Sequence, residues 1–236
     1  MERKKHLVLV AAGSGERMGS RLPKQFLEFD GKCILHHTLE RFMAAEPELE
    51  VTVVLNRDFF DYWKNYCREH NIICRQHLVA GGITRYHSVR NALDRIPDGA
   101  VVAVHDGVRP FVSEELIRKM FDLSCDCQAL IPVMPCTDTI KVLDCKTVDG
   151  KKVYGTVPGE VVDRSRLFGA QTPQIFHSEV LKKAYLQPYD TAFTDDASVV
   201  QKDNARLSYI EGERLNIKIT TPQDLILARA IDSILR

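Results

Sequence analysis

What this 236-residue sequence lacks narrows its function before any motif is read. No apolar run approaches the roughly 20 residues needed to span a bilayer. The opening Met1-Glu-Arg-Lys-Lys-His leads straight into a strand-like run, with no signal-peptide core and no cleavage pattern, so a cytoplasmic protein without a membrane partner is expected. There is no charge imbalance. Lys and Arg total 32 and Asp and Glu total 32, which argues against a nucleic-acid binder acting through bulk charge and leaves room for a local basic pocket. The seven cysteines contain no CxxC pair, and Cys125-x-Cys127 is too tight for ordinary zinc spacing. Reduced thiols are therefore expected rather than a disulfide framework. No GxxxxGK[ST] loop is present. The one GxG, Gly13-Ser-Gly15, has Met18 where a dinucleotide fingerprint needs its third glycine, and Leu55-Asn56-Arg57 offers no acid after the second strand. Both gaps argue against a dinucleotide-dependent oxidoreductase. Repeats, low-complexity tracts and linkers are also missing, so residues 1–236 read as one domain.

What is present is an ordinary globular composition, 44% hydrophobic and 27% charged, with enough chain to bury a core. Short apolar runs alternate with helical spacing. Strands are expected at His6–Ala12, Glu50–Leu55, Ile72–Val79, Ala100–Val104 and Ala129–Val133. Helices are expected over Cys33–Ala45, Asp58–His70 and Thr84–Ile96, and over Glu114–Leu123 behind the cap Ser113. This βαβα order predicts a mostly parallel sheet with helices on both faces. After Pro135 the pattern changes. Thr139–Leu143 and Lys152–Val157 read as β-segments around the turn Asp149-Gly150, an arm over about 137–160. Strands near Gln171–Phe176, Arg206–Ile210 and Asn216–Ile219 follow, with helices at Ser178–Leu186, near Asp195–Lys202 and after Thr221-Pro222.

The chemistry concentrates at strand ends. AAGSGERMG (11–19) turns a buried strand into a Gly-rich loop, and PKQ follows at 23–25. Amides of Gly13 and Gly15 can cradle phosphate oxygens, and Arg17 and Lys24 supply compensating charge; a triphosphate needs both. His105-Asp106 follows another buried strand, and its carboxylate suits Mg²⁺, a hard cation that bridges phosphates. Arg109 can reach an anion in bidentate fashion. Gly81-Gly82, then Thr84 and Ser88, offers amides and a hydroxyl suited to the edge of a pyrimidine. Lys218 is a cation placed to stabilise a five-coordinate phosphorus.

AAGSGERMG…PKQ resembles the opening signature of sugar- and polyol-phosphate nucleotidyltransferases. The resemblance narrows with Ala80-Gly-Gly…Arg85…Ser88-Val89, His105-Asp-Gly-Val-Arg-Pro110, Asp138-Thr139, Val162-Asp-Arg-Ser165, Gln171-Thr-Pro-Gln174, Thr194-Asp-Asp-Ala-Ser198 and Asn216-Ile-Lys-Ile-Thr-Thr-Pro222. This ordered set spans nearly the whole chain and is similar to the 2-C-methyl-D-erythritol 4-phosphate cytidylyltransferases. The resemblance implies an α/β fold, a three-layer Rossmann-like sheet of the nucleotide-diphospho-sugar transferase type with a projecting β-arm. It implies Mg²⁺-assisted cytidylyl transfer from CTP to methylerythritol phosphate in non-mevalonate isoprenoid synthesis. Arg17, Lys24 and Lys218 form the implied catalytic set. Ala11, Ala12, Gly13, Ser14, Gly15, Gly81, Gly82 and Ser88 are the implied nucleotide contacts, and Asp106 the metal ligand. Arg109, Thr139 and Thr172 are implied acceptor contacts. The implied assembly is a homodimer whose arms exchange, carrying Arg164 to the partner's site.

Three positions depart from the family pattern. Tyr86 and His87 stand where relatives more often carry polar residues, and Leu215 stands where some carry an acid; Glu213 is a substitute for that acid. Two rivals remain. A ribitol-5-phosphate cytidylyltransferase would share fold, nucleotide site and metal, but its relatives open with an LAGG-type loop and carry a TDAC-like motif where this chain has TDDAS. A non-catalytic nucleotide-binding regulatory protein would be expected to have lost the cations at 17, 24, 109 and 218, and all are present.

Overall fold

The computed structural model describes residues 3–13, 22–159 and 161–235. The strands are β1 Lys5–Val10, β2 Glu28–Phe29, β3 Lys32–Cys33, β4 Glu50–Leu55, β5 Gln76–Ala80, β6 Val101–Asp106, β7 Ala129–Pro135, β8 Leu143–Val148, β9 Lys151–Thr156, β10 Phe168–Ala170, β11 Gln174–His177 and β12 Ser208–Glu211. The helices are α1 Ile34–Ala45, α2 Phe60–Glu69, α3 Arg85–Leu93, α4 Glu114–Leu123, α5 Ser178–Ala184, α6 Asp196–Lys202 and α7 Pro222–Leu235. The main sheet runs β10-β7-β11-β6-β1-β4-β5, with β12 on the other edge of β7. β6, β1, β4 and β5 are parallel to one another, and β11 enters antiparallel between β6 and β7. The mostly parallel sheet expected from the alternation is therefore present.

β6 is buried throughout, β4 from its second residue and β1 over its middle four, because successive side chains leave opposite faces and both faces are covered. Leu7, Leu9, Val51, Val53 and Ala103 meet Leu39 and Phe42 of α1, Trp63 of α2 and Ile117 and Phe121 of α4. Val8, Val54, Val102 and Val104 meet Val89 of α3, Leu181 of α5 and Val199 of α6. The sheet is thus the middle of three layers. A smaller cluster joins Ala228 and Ile231 of α7 to Phe29, Ile34, Val108 and Phe111. Caps set several helix starts. Ser113 Oγ accepts from Leu116 N at 3.0 Å, and Asp195 and Ser198 form a reciprocal capping box.

Four sequence expectations shift. The strand expected from Ile72 begins only at Gln76, because Asn71, at φ 52°, closes α2 with a bond from Ile72 N to Cys67 O. The arm hairpin is β8–β9, starting at Leu143 rather than Thr139. Its register is set by Asp149 and Gly150, both at positive φ, and runs from Val148↔Lys151 out to Leu143↔Thr156. Pro158, lacking an N–H, lies just past that ladder. Every residue of both arm strands is exposed. Asn216–Ile219 is not a strand: it runs beside Val108 with one backbone bond, from Ile219 N to Val108 O at 2.9 Å. The strand expected at Gln171–Phe176 begins only at Gln174, with the short β10 ahead of it. Ala170 faces Val133 and Ile175 faces Leu130, so the chain bulges between them, with the cis Thr172–Pro173 bond inside the bulge.

The layer under the sheet also braces the end of β6. The Phe42 ring packs edge-on against His105 with centroids 4.8 Å apart, and both side chains are fully buried. Phe42→Ala should cost about 3–5 kcal/mol of stability and lower Tm by roughly 10 °C. Urea unfolding of the two proteins measures this directly, and a loss below about 1 kcal/mol would mean the ring is not clamped.

Candidate active site

The ends of β1, β4, β5 and β6 open into a cleft of about 420 Å³, lined among others by Ala12, Gly13, Lys24, Arg85, Asp106 and Lys218. Parallel sheets leave their ligand crevice at this edge. Local bonds build the rim. Ala11 N donates to Val54 O, Gly81 N to Leu55 O and Gly107 N to Val10 O. Gln25, buried, donates through Nε2 to Ala11 O and Gly13 O, which fixes the first described part of the loop to the following segment. A Cβ on Gly81 would lie 2.3 Å from the Cβ of Ala12, so glycine there is a packing requirement. Ser88 Oγ accepts from Gly82 N at 3.0 Å and donates to Thr84 O at 2.9 Å. Its hydroxyl therefore holds the Gly81–Gly82 loop onto the first turn of α3, and the loop presents its backbone to the cleft.

Asp106 is the electrostatic centre. It is almost fully buried, and three cations converge on it. Arg85 Nε lies 3.3 Å from Oδ1, Arg109 Nε 3.4 Å from Oδ2 and Lys218 Nζ 2.9 Å from Oδ2. Burial alone would push this carboxyl up, but Arg85, Lys218 and Arg109 together hold it well below the usual carboxylate range. Asp106 is thus an ionised carboxylate. Arg85 is forked: its Nη2 lies 2.7 Å from Oδ2 of Asp196, a fully buried carboxylate. Burial pulls the Arg85 guanidinium down, yet Asp196 and Asp106 more than restore it. Arg109 is anchored by Nη1 to Asn216 O at 2.8 Å.

Behind Asp106 stands a neutral hydrogen-bonded wall. Asp106 N donates to Thr172 Oγ1 at 3.1 Å, and the same hydroxyl lies 3.1 Å from His105 Nδ1. His105 Nε2 lies 3.1 Å from Arg109 O, an atom that only accepts, so Nε2 carries the proton and Nδ1 accepts from Thr172. Burial pushes the His105 imidazole down to about 3, which keeps it neutral. Asn216 donates to Thr172 O at 2.9 Å. Gln171 donates to Glu213 O at 2.8 Å and accepts from Glu213 N at 3.0 Å. These bonds tie the bulge between β10 and β11 to the segment that carries Lys218.

The predicted residues divide accordingly. Ala11, Ala12, Gly13, Lys24, Gly82, Ser88, Asp106 and Lys218 line one cleft, with Gly81 and Arg109 packed on its rim and floor. Ser14, Gly15 and Arg17 lie outside the described residues. Thr172 is buried behind Asp106 and does not line the cleft. Thr139 is exposed beside the arm, and Arg164 donates through Nη1 to Thr137 O at 3.0 Å; within one chain neither lines the cleft. Glu213 does not substitute for the missing acid at 215, since its carboxylate is taken up by the backbone N and hydroxyl of Ser113 at the head of α4. Tyr86 turns away into the core, stacked on Tyr185 at 4.8 Å. Arg85, Gln25 and Asp196 carry more of the site than their motifs announced. The signal available was position alone: each stands inside a quoted motif, yet nothing local says which way its side chain points.

A Mg²⁺ ion fits this site in one way. Among the described residues no group of three or more His, Cys, Asp or Glu side chains could hold a metal. A single ionised carboxylate at the cleft does suit Mg²⁺, which is often bound by one or two carboxylates with substrate phosphates supplying other ligands.

Buried neutral imidazoles make stability fall in acid. Burial lowers His6, His36, His37 and His105 alike. Unfolded imidazoles take up protons near pH 6.5, whereas the folded ones resist, so their contribution is complete above that pH and is lost as pH falls. For His105 the loss continues down to about pH 3. Asp106 adds its own loss below about pH 3.9. His105→Gln should remove about 1.4 kcal/mol per pH unit from the slope of stability between roughly pH 6 and 4.5. Urea titrations across that range, showing an unchanged slope, would refute a neutral His105.

The family model for 2-C-methyl-D-erythritol 4-phosphate cytidylyltransferase matches residues 5–233. Proteins of that name from Bacteroides thetaiotaomicron and Porphyromonas gingivalis are each 44% identical to this chain. The alignments cover 97% and 98% of this chain and 99% of each relative. A solved 4-diphosphocytidyl-2C-methyl-D-erythritol synthase from Anaerococcus prevotii is 28% identical and superposes with a TM-score of 0.78, covering 98% of this chain and 97% of that one. Fold, ordered motifs and cleft agree with these matches, and the chain belongs to the 2-C-methyl-D-erythritol 4-phosphate cytidylyltransferase family.

Proposed function

We propose that this cleft transfers the cytidylyl group of CTP to 2-C-methyl-D-erythritol 4-phosphate, a step of non-mevalonate isoprenoid synthesis. The observation that carries the reading is the convergence of Arg85, Arg109 and Lys218 on the ionised Asp106, in a cleft that Gly13, Lys24 and Gly82 also line. An oxygen of the acceptor phosphate attacks the α-phosphorus of CTP. A new P–O bond forms, the bond to the bridging oxygen breaks, and pyrophosphate leaves with the electron pair. The nucleophile is already an anion, so no covalent enzyme intermediate is needed. Catalysis is positioning and charge neutralisation.

Lys24 and the loop at Gly13, with Ser14, Gly15 and Arg17, receive the triphosphate. Ala11, Ala12, Gly81 and Gly82 pack the cytosine against backbone, with Ser88 holding that loop. Lys218 stabilises the five-coordinate phosphorus with Arg17 and Lys24. Asp106 would hold Mg²⁺, which when bound neutralises phosphate charge and lines up the leaving pyrophosphate. Arg109 holds the acceptor phosphate, and Thr172 acts from behind by fixing Asp106. Thr139 and Arg164 reach substrate across a homodimer. The supporting feature is the β8–β9 arm, whose Leu143, Val153 and Tyr154 are exposed and ask for a partner surface. The enzyme is proposed to work in the cytoplasm.

Pyrophosphate release with CTP and Mg²⁺ tests the reaction. Turnover is expected with methylerythritol phosphate and not with ribitol 5-phosphate; the reverse result moves the protein to polyol-phosphate chemistry. Lys24→Ala and Lys218→Ala should each lose on the order of 10²–10³ in rate while staying folded, and near-normal turnover in either removes its role. Arg164→Ala and Lys218→Ala homodimers should both be poor enzymes, yet regain activity when mixed and allowed to exchange subunits. Failure to complement would argue that each site is built within one chain.

A further inference from the structure

One buried carboxylate has no part in the reaction as written. Asp196 is the first residue of α6, but the helix does not need it as a cap, because Asp195 and Ser198 already form the capping box. Its side chain is completely buried. Oδ2 lies 2.7 Å from Arg85 Nη2, and Oδ1 accepts from the Tyr185 hydroxyl at 2.6 Å. Tyr185 is itself buried and stacked on Tyr86. A buried carboxylate is costly unless a cation and hydrogen bonds satisfy it, and Asp196 has both.

The other end of the same guanidinium enters the cleft, where Arg85 Nε lies 3.3 Å from Asp106 Oδ1. The guanidinium is a rigid planar fork, so fixing Nη2 fixes the direction of Nε. The contact to Asp196 is the shorter of the two, which makes the buried residue the anchor and Asp106 the group being placed. Lys218 and Arg109 both sit on the opposite oxygen, Oδ2. Without a fixed Arg85, nothing among these contacts holds Oδ1.

We propose that Asp196 is a positioning residue for cytidylyl transfer: through Arg85 it fixes the rotation of the Asp106 carboxylate, so that Oδ1 and Oδ2 keep separate partners. Tyr185 in turn fixes Asp196. This inference rests on the reading of the cleft given above.

Asp196→Asn keeps the shape and removes the charge. It should lower kcat about 10- to 100-fold, the range seen when a group that orients a functional side chain is removed. KM for CTP should stay within about twofold, because the phosphate-binding cations remain. Rates are referred to the number of CTP-binding sites measured by titration calorimetry, so partial misfolding does not mimic the effect. The decisive comparison is the double variant. If Asp196 acts through Arg85, Asp196→Asn should add nothing in an Arg85→Gln background. Should Asp196→Asn not fold, Tyr185→Phe removes a single hydrogen bond to Oδ1. It should lower kcat by about 3- to 10-fold in the same Arg85-dependent way. A kcat unchanged in both variants, or a full effect persisting in the Arg85→Gln background, overturns the inference. The wild-type protein separates the two levels. Its failure to release pyrophosphate removes the reaction and the inference together, while normal wild-type turnover beside an equally active Asp196→Asn removes only the inference.

Discussion

An ionised carboxylate held where water barely reaches it is the constraint on which this cleft depends. Asp106 sits at the end of a fully buried strand, and burial opposes its charge. Three cations make the charge tolerable, and each has to be brought from a different part of the chain. Arg85 comes from the start of α3, Arg109 from the turn after β6, and Lys218 from an extended segment near the C-terminal helix. The fold is organised around making these three arrivals coincide. Arg109 is held by the carbonyl of Asn216, Asn216 by Thr172, and Thr172 by the backbone of Asp106 itself. The loop of contacts closes on the residue where it began.

Preorganisation follows from that closure. The guanidiniums of Arg85 and Arg109 are fixed in advance, one by the buried Asp196 and the other by the carbonyl of Asn216. His105 contributes by being neutral. Between Thr172 and the Arg109 carbonyl its ring has no unmet polar atom, and a charge there would repel Arg109 and Arg85. The same ring rests on Phe42, so hydrophobic packing under the sheet and charge placement above it meet at one side chain.

Much of this was legible in the sequence, and the limits of legibility are physical. Strand alternation and helix caps depend on neighbours within a few residues, so β1, β4, β6 and α4 fall where periodicity and Ser113 put them. The glycines at 81 and 82 and the acid at 106 were readable because strand ends of a parallel sheet share one edge. Direction was not readable. Thr172 looks like a substrate contact by its motif, yet the bulge between β10 and β11 turns it behind Asp106. Glu213 looks like a spare acid, yet α4 claims its carboxylate. Tyr86 stands where relatives more often carry a polar residue, yet its ring turns from the cleft to face Tyr185. The roles of Asp196 and Gln25 depend on contacts over long stretches of chain, and no local pattern encodes those.

The close meeting of Gly81 and Ala12 has a consequence for how this sequence can drift. The two residues belong to loops after different strands, yet a methyl added at 81 would overlap the methyl at 12. A side chain can therefore appear at 81 only once 12 has become glycine. In any lineage or library the order of change is thus fixed: a route to a larger residue at 81 must first pass through glycine at 12, and a scan that changes 81 alone will make it look immutable.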